Sequence, residues 1–296
     1  MVSITSVLEP IFSVIFSGVI LGAIYALISM GLTLIWGTVG ILNFAHGAVL
    51  TVGAYIALCI FTYTELGYVA AVLLAALAGL TIGIVFELLL FRYFREKPNE
   101  FLNTVYTSLA SAYIISAIIL YLFGPRRKAL PPLISGTISM GGLRLLTYHE
   151  FMILVVSLVV LSASWLFLKY SKYGIAMRAV SMDRYAARLM GIKLNRIYLL
   201  TVGVGCTLAG ISGVFLGSIY YVYPYMGDVP LVLAFIIIVF GGLGSVKGTI
   251  VASFILGIVQ NLSGYFLGLG WAMPILFLFM MLTILLRPSG LLGEKV

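Results

Sequence analysis

The sequence predicts an all-α fold, a polytopic transmembrane helical bundle with discontinuous helices and about eight or nine spans. Three observations predict it. Of 296 residues, 62% are hydrophobic and only 9% carry a charge, whereas a soluble domain is nearer about half apolar and a quarter charged. Charge-free windows run from Pro10 to Thr64, Phe101 to Pro125, Ile197 to Gly227 and Gly248 to Leu286, and a helix needs about 20 apolar residues to cross a bilayer core. These windows are continuously apolar, without the short alternating segments of a transmembrane barrel, so helices are the expected element.

The runs divide into candidate spans at 11–36, 47–64, 68–91, 103–123, 150–168, 197–219, 230–246, 249–268 and 272–286. The count is open by one or two where glycine-rich sequence interrupts an apolar run, because a broken helix or re-entrant segment there mimics a loop. No Lys or Arg precedes the first run, which is also too long for a signal-peptide core, so the N-terminus is expected to be retained. Residues 1–296 read as one domain.

Charge sits between the spans. Arg92, Arg95 and Lys97 follow the third span, and the connection 170–196 with its flank holds Lys169, Lys172, Arg178, Arg184, Arg188, Lys193 and Arg196 against the single acid Asp183. With that connection in the cytoplasm, 13 basic residues lie inside and 4 outside, which the positive-inside rule favours over the reverse. The C-terminus is then inside and, with nine spans, the N-terminus outside. The stretch 124–149 is external; after Arg126, Arg127 and Lys128 it carries Pro131, Pro132 and a weak alternation at Ile134, Gly136, Ile138 and Met140, which reads as a small hairpin or ordered loop. The net charge of +8 is an orientation signal rather than a nucleic-acid footprint, since no basic stretch is interleaved with aromatics. Cys59 and Cys206 lie in apolar windows without ligand spacing and read as packing residues.

Two glycine-rich interruptions occupy roughly corresponding places in the halves: GTVGILNFAHG at Gly37 to Gly47 and FGGLGSVKG at Phe240 to Gly248. Paired breaks of this kind point to a midplane pathway in transporters, because freed backbone groups must face a cavity or protein. Asn43, Phe44, His46 and Gly47 in the first break, and Gly241, Gly242 and Gly244 in the second, are the candidate pathway residues. The alternatives are a polar turn between spans and glycines serving close backbone approach. A metal role for His46 lacks support, as the other histidine, His149, is remote and no HxxxH spacing exists. Lys247, Gly248 and Thr249 stand in the wrong order for a phosphate-binding loop.

In the basic connection, Ser181 to Gly191 (SMDRYAARLMG) reads as a short helix, with Ser181 as N-cap and Gly191 as stop. Met182, Ala186 and Leu189 share one face, and Arg184 and Arg188 another. Such a helix would lie on lipid headgroups or dock a cytoplasmic protein. Tyr220, Tyr221, Tyr223 and Tyr225 read as interfacial anchors.

The stretches GLTLIWGTVGILNFAHG, GPRRKALPP, YGIAMRAVSMDRYAARLMGI, FGGLGSVKG and RPSGLLG, taken together, span nearly the whole chain. They resemble the permease subunits of branched-chain amino-acid ABC importers. No acid, His or Cys constellation able to share protons or hold a metal is present in the sequence, so no enzyme, cofactor or metal is expected in this chain, and the resemblance adds none. It implies instead a second related permease, two cytoplasmic ATP-binding subunits, an extracytoplasmic substrate-binding protein and a prokaryotic inner membrane. Ala186, Ala187 and Gly191 match the Ala-Ala-x-x-x-Gly core of the family's coupling motif, with Tyr185 where Glu is common, so Arg178, Asp183, Arg184 and Arg188 are expected to surround an ATPase contact. A urea or short-amide importer is the nearest alternative. An ion-coupled carrier is disfavoured because Glu87, close to a span end, is the single acid well inside an apolar stretch.

Overall fold

The computed structural model of the chain describes residues 4–95, 97–132, 134, 136–140 and 143–293. The first helix, α1 (Ile4–Val39), has 36 residues and is about 54 Å long, longer than a bilayer core is thick. It stops where Gly40, at φ 76°, turns out of the helix and donates its N–H to Trp36 O at 2.9 Å. After a non-helical segment, α2 (His46–Tyr63) leads through a short turn to α3 (Gly67–Val85). That helix continues through a π-helical turn, Phe86–Phe91, into the last turn α4 (Arg92–Phe94). Next comes α5 (Glu100–Phe123), followed by an antiparallel hairpin of β1 (Thr137–Met140) and β2 (Leu143–Thr147).

The remaining elements are α6 (Tyr148–Tyr170), α7 (Lys172–Met182), α8 (Arg184–Leu189), α9 (Leu194–Ile219), α10 (Asp228–Gly241), α11 (Val246–Leu267) and α12 (Leu269–Leu286). Among the described residues, eight helices are long and apolar enough to cross a membrane. The seventh candidate span, 230–246, does not become one of them. Its helix α10 has 14 residues and is about 21 Å long, because Gly242, at φ 107°, ends it early.

Lipid offers helices little hydrophobic reason to associate, so close approach through small residues holds such a bundle together. Here α9 is the hub. Gly79 and Gly83 of α3 lie against Cys206 and Val202, and Gly53 of α2 lies against Gly210, each so close that a Cβ would overlap the opposing backbone or side chain. On the other flank α11 runs antiparallel to α1: Gly18 faces Ile258, Gly22 faces Phe254, and the Thr33 and Thr249 hydroxyls bond at 2.8 Å. These pairings give the molecule a basic end, with Val39, Arg92–Arg95, α7, α8 and Arg287, and a hairpin end.

At the hairpin end the expected hairpin is present, with Thr137 opposite Thr147 and a bulge between Ile138 and Ser139. Thr147 then closes α6 with a capping box: its hydroxyl accepts from Glu150 N at 3.1 Å, and Glu150 Oε2 accepts from Thr147 N at 2.9 Å. At the basic end Arg95 pairs with Glu87, donates to Asn195 Oδ1 at 3.1 Å and covers the Tyr198 ring, which ties the end of α3 to the start of α9.

Candidate functional site

Two stretches of chain cross part of the bundle without being helical. The first, residues 40–45, starts beside Val39 at the basic end and finishes at His46, whose Nε2 bonds to Ile28 O at 3.0 Å. Ile28 lies about 16 Å up α1 from Val39, so α2 begins near half depth. The second, residues 220–227, enters from the hairpin end after α9 and finishes at Gly227, the residue before α10. Gly227 packs on Gly47 so tightly that neither has room for a Cβ. The N-terminal ends of α2 and α10 therefore meet inside the bundle, one helix leaving towards each end.

Backbone groups freed at such a break must find partners, since lipid supplies none. Asn43 Oδ1 accepts from Ala45 N at 3.0 Å, and its Nδ2 points at Cys206 Sγ at 4.0 Å. Phe44 N donates to Ser108 Oγ of α5 at 3.2 Å. The Thr51 hydroxyl donates to Gly47 O and accepts from Gly227 N, both at 3.1 Å. At the outer end of the second segment, Val222 and Lys128 form an isolated antiparallel bridge through N–H···O bonds of 2.7 and 2.9 Å.

The first predicted break is thus a true interruption, but Asn43 and His46 are wholly buried and pin the backbone rather than face open space. Phe44 is half-buried and its ring meets Phe235 of α10 at 5.1 Å between centroids. Gly241, Gly242 and Gly244 are elsewhere. Gly244 faces Gly37 near the basic end, and the C-terminal tail closes this turn, with Leu291 N on Phe240 O at 2.9 Å and Leu292 N on Gly241 O at 3.1 Å. The structural counterpart of the first break is therefore 220–227, not 241–248. A signal for it exists in the sequence: the charge-free window continues past the end of α9, and Pro224, Gly227 and Pro230 forbid a continuous helix there. Tyr220 and Tyr221 stay exposed at the hairpin end, while Pro224, Met226 and Gly227 turn inward and are buried.

Sequence reasoning also passed over Asp228. Its carboxylate is exposed on the first turn of α10 and has no bonding partner among the described residues. It stands above Val232 and Phe235 on the incompletely covered face of that helix. Among the described residues no three His, Cys, Asp or Glu side chains cluster as metal ligands.

The basic connection folds into α7 and α8. The expected N-cap, Ser181, lies inside α7 and bonds back to Arg178 O at 2.8 Å. Asp183 takes the capping role instead, accepting from Tyr185 N at 2.7 Å and Ala186 N at 3.0 Å, because an Asp oxygen reaches both first-turn amides. Gly191, at φ 83°, ends the helix as expected. Arg178 Nη2 bonds to Lys169 O at 3.1 Å.

Burial around α8 differs from the expected faces. Ala187 alone is buried; Ala186 and Arg188 are exposed, as are Tyr185 at 73%, Leu189 at 72% and Met182 at 84%. Arg184 is exposed as well, but unlike that of Arg188 its guanidinium is engaged among the described residues. Its Nη2 reaches Val39 O at the end of α1, at 2.8 Å.

A family model described as the branched-chain amino acid transport system permease component matches residues 14–286. The high-affinity branched-chain amino acid transport system permease protein LivH of Escherichia coli K12 is 31% identical over 296 residues, covering 94% of each chain. BraD of Pseudomonas aeruginosa, described in the same words, is 32% identical over 292 residues with the same cover. A solved structure, PsaBC from Streptococcus pneumoniae in complex with Fab, is similar at a TM-score of 0.49 and 16% identity over 97% of this chain and 94% of that one, too slight a likeness to argue from. Matched along nearly its whole length, this multi-pass membrane protein belongs to the branched-chain amino acid transport system permease family.

Proposed function

We propose that the chain forms half of the translocation pathway of an ATP-driven importer for leucine, isoleucine, valine and similar small hydrophobic amino acids. A second related permease supplies the other half, two ATP-binding subunits dock on the basic end, and a substrate-binding protein docks on the 124–149 side. The whole chain, 1–296, acts as one permease domain in a prokaryotic inner membrane, with the basic end and the C-terminus cytoplasmic. The observation that carries this reading is the meeting of two non-helical segments at Gly47 and Gly227 inside the bundle. Broken helices at depth are where transporters place their cargo path, since helix N-termini offer partial positive charge there.

In this reading Asn43, His46 and Gly47 fix the shape of the path, and Phe44 with Phe235 and Val232 gives it an apolar wall. The Asp228 carboxylate faces the ammonium group of the passing zwitterion. An ionised side chain at membrane depth carries a solvation penalty of several kcal/mol unless it serves a partner or cargo. Urea has no charge to use it, which favours an amino acid over the short-amide reading. An ion-coupled carrier is disfavoured further because Glu87 is paired with Arg95 at the basic end.

The ATPase contact is assigned to α8 and its flank, Arg178, Asp183, Ala186, Ala187, Arg188 and Gly191 included. Exposed Tyr185, Leu189 and Met182 support it, being a concentrated apolar patch among basic residues outside the spans. Affinity purification through a tag on this chain, from cells expressing the whole transporter, is the test. Recovery of the second permease and both ATP-binding subunits is expected; a complex free of any ATPase contradicts the proposal.

A further inference from the structure

The α8 helix faces two ways. Tyr185 and Leu189, one turn apart, are exposed, whereas Arg184, itself an exposed residue, reaches back with its guanidinium to bond Val39 O at the C-terminus of α1. Val39 O is one of the terminal carbonyls that a helix cannot satisfy itself, and a guanidinium suits the negative end of a helix dipole. The next residue is shaped around the same group. Gly40 has φ 76°, and the Arg184 guanidinium occupies the place that a Cβ would need.

From Gly40 to Ala45 the chain has no helical ladder of its own. It is tethered by Asn43 to Ala45 N and by Ser108 Oγ, which receives Phe44 N at 3.2 Å and approaches Leu42 O at 3.5 Å. Beyond it lie Gly47 and the Thr51 bridge to Gly227, and from there 220–227 reaches the Lys128–Val222 bridge on the hairpin side. The contacts are thus continuous from α8 to 124–132. The weakest part of this chain, and the part nearest α8, is the unladdered segment 40–45.

We propose that Arg184 is a positioning residue, a latch through which movement of α8 displaces segment 40–45 and so opens or closes the path at Gly47. It acts on the cargo path through Val39 and Gly40 rather than by touching the ATPase. The proposal rests on the reading of α8 as the ATPase-facing element. Its signature is uncoupling: the complex assembles and hydrolyses ATP, but the hydrolysis no longer drives uptake.

The test uses the complete transporter in proteoliposomes, with ATP hydrolysis and labelled leucine uptake read from the same sample. For Arg184→Ala, uptake per ATP hydrolysed falls about tenfold or more, the range of a coupling free energy. Arg184→Lys, which keeps a donor for Val39 O, recovers part of it. An unchanged ratio overturns the latch, and so does loss of the ATP-binding subunits from the Arg184→Ala complex, which would make Arg184 a docking contact. A second measurement needs no cargo. With Cys59→Ala and Cys206→Ala as background, maleimide labelling of Leu42→Cys differs between nucleotide-free and vanadate-trapped complexes, and Arg184→Ala abolishes the difference. Equal labelling in both states with Arg184 present, or a difference that survives Arg184→Ala, overturns the proposal whatever the cargo proves to be. A wild-type complex that fails to take up leucine counts against the cargo reading alone.

Discussion

Thr51 joins the two non-helical segments: its hydroxyl donates to Gly47 O on its own helix and accepts from Gly227 N, 176 residues further along the chain. One buried side chain thereby satisfies a backbone group at each helix start. Thr51→Val keeps the shape and removes both bonds, leaving the Gly227 N–H unpaired. The cost expected for such a buried donor is about 1–3 kcal/mol. Thermal unfolding of the detergent-solubilised complex should show a lower midpoint for Thr51→Val and a near-normal one for Thr51→Ser. Equal midpoints for all three would mean that the bridge contributes nothing.

The contact between Gly47 and Gly227 has no spare volume, so its prediction is steric. Gly227→Leu must push apart α2 and α10, and over-packing of this kind costs about 1–3 kcal/mol or more where backbone opposes backbone. The variant is expected to lose monodispersity in size-exclusion chromatography. Gly270→Ala, where a Cβ meets open space, is expected to elute like the parent.

On α8 the exposed Tyr185 and Leu189 are expected to seat in the ATP-binding subunit. Leu189→Asp places a charge in that contact without touching the bundle core. ATPase copurification should fall at least tenfold, as befits a central interface residue worth about 2 kcal/mol, while the unfolding midpoint stays unchanged. Full retention of the ATPase would remove Leu189 from the interface.

Asp228→Asn removes one charge and little volume. If the carboxylate meets the substrate ammonium, maximal uptake of leucine falls about tenfold, the scale of one charge-assisted hydrogen bond. The half-saturating concentration, set by the binding protein, moves little. Undiminished uptake by Asp228→Asn would deny the residue that contact.

The sequence made most of the fold legible because lipid demands long apolar runs, and eight of the nine runs became membrane-length helices, the run 230–246 alone falling short. Val39, Tyr63, Phe123 and Ile219 end helices close to where the polar or glycine-rich sequence begins. The small hairpin was readable from the alternation at Ile138 and Met140. What periodicity could not express is depth. The glycine-rich stretches 37–47 and 240–248 look alike in sequence, yet the second is a turn at the basic end clamped by Leu291 and Leu292, and the partner of the first is 220–227, with a single glycine, which descends to Gly47. Only tertiary contact between Gly47 and Gly227 separates the cases.

The same limit applies to side-chain roles. Arg184 and Arg188 share a helical face by spacing, but Gly40 leaves a space that only Arg184 is placed to fill. Asn43 and His46 were legible as polar groups needing partners. That the partners are Ala45 N and Ile28 O, inside the chain, follows from the packing of α2 on α1.

ATP-dependent uptake by the complete transporter tests the central claim most directly. Proteoliposomes holding this chain, its partner permease and the ATP-binding subunits, supplied with the binding protein, are offered labelled leucine, urea and a sugar. Leucine should accumulate only with ATP inside the ATPase-facing compartment, with urea and the sugar at background. Accumulation of urea while leucine stays at background would contradict the account.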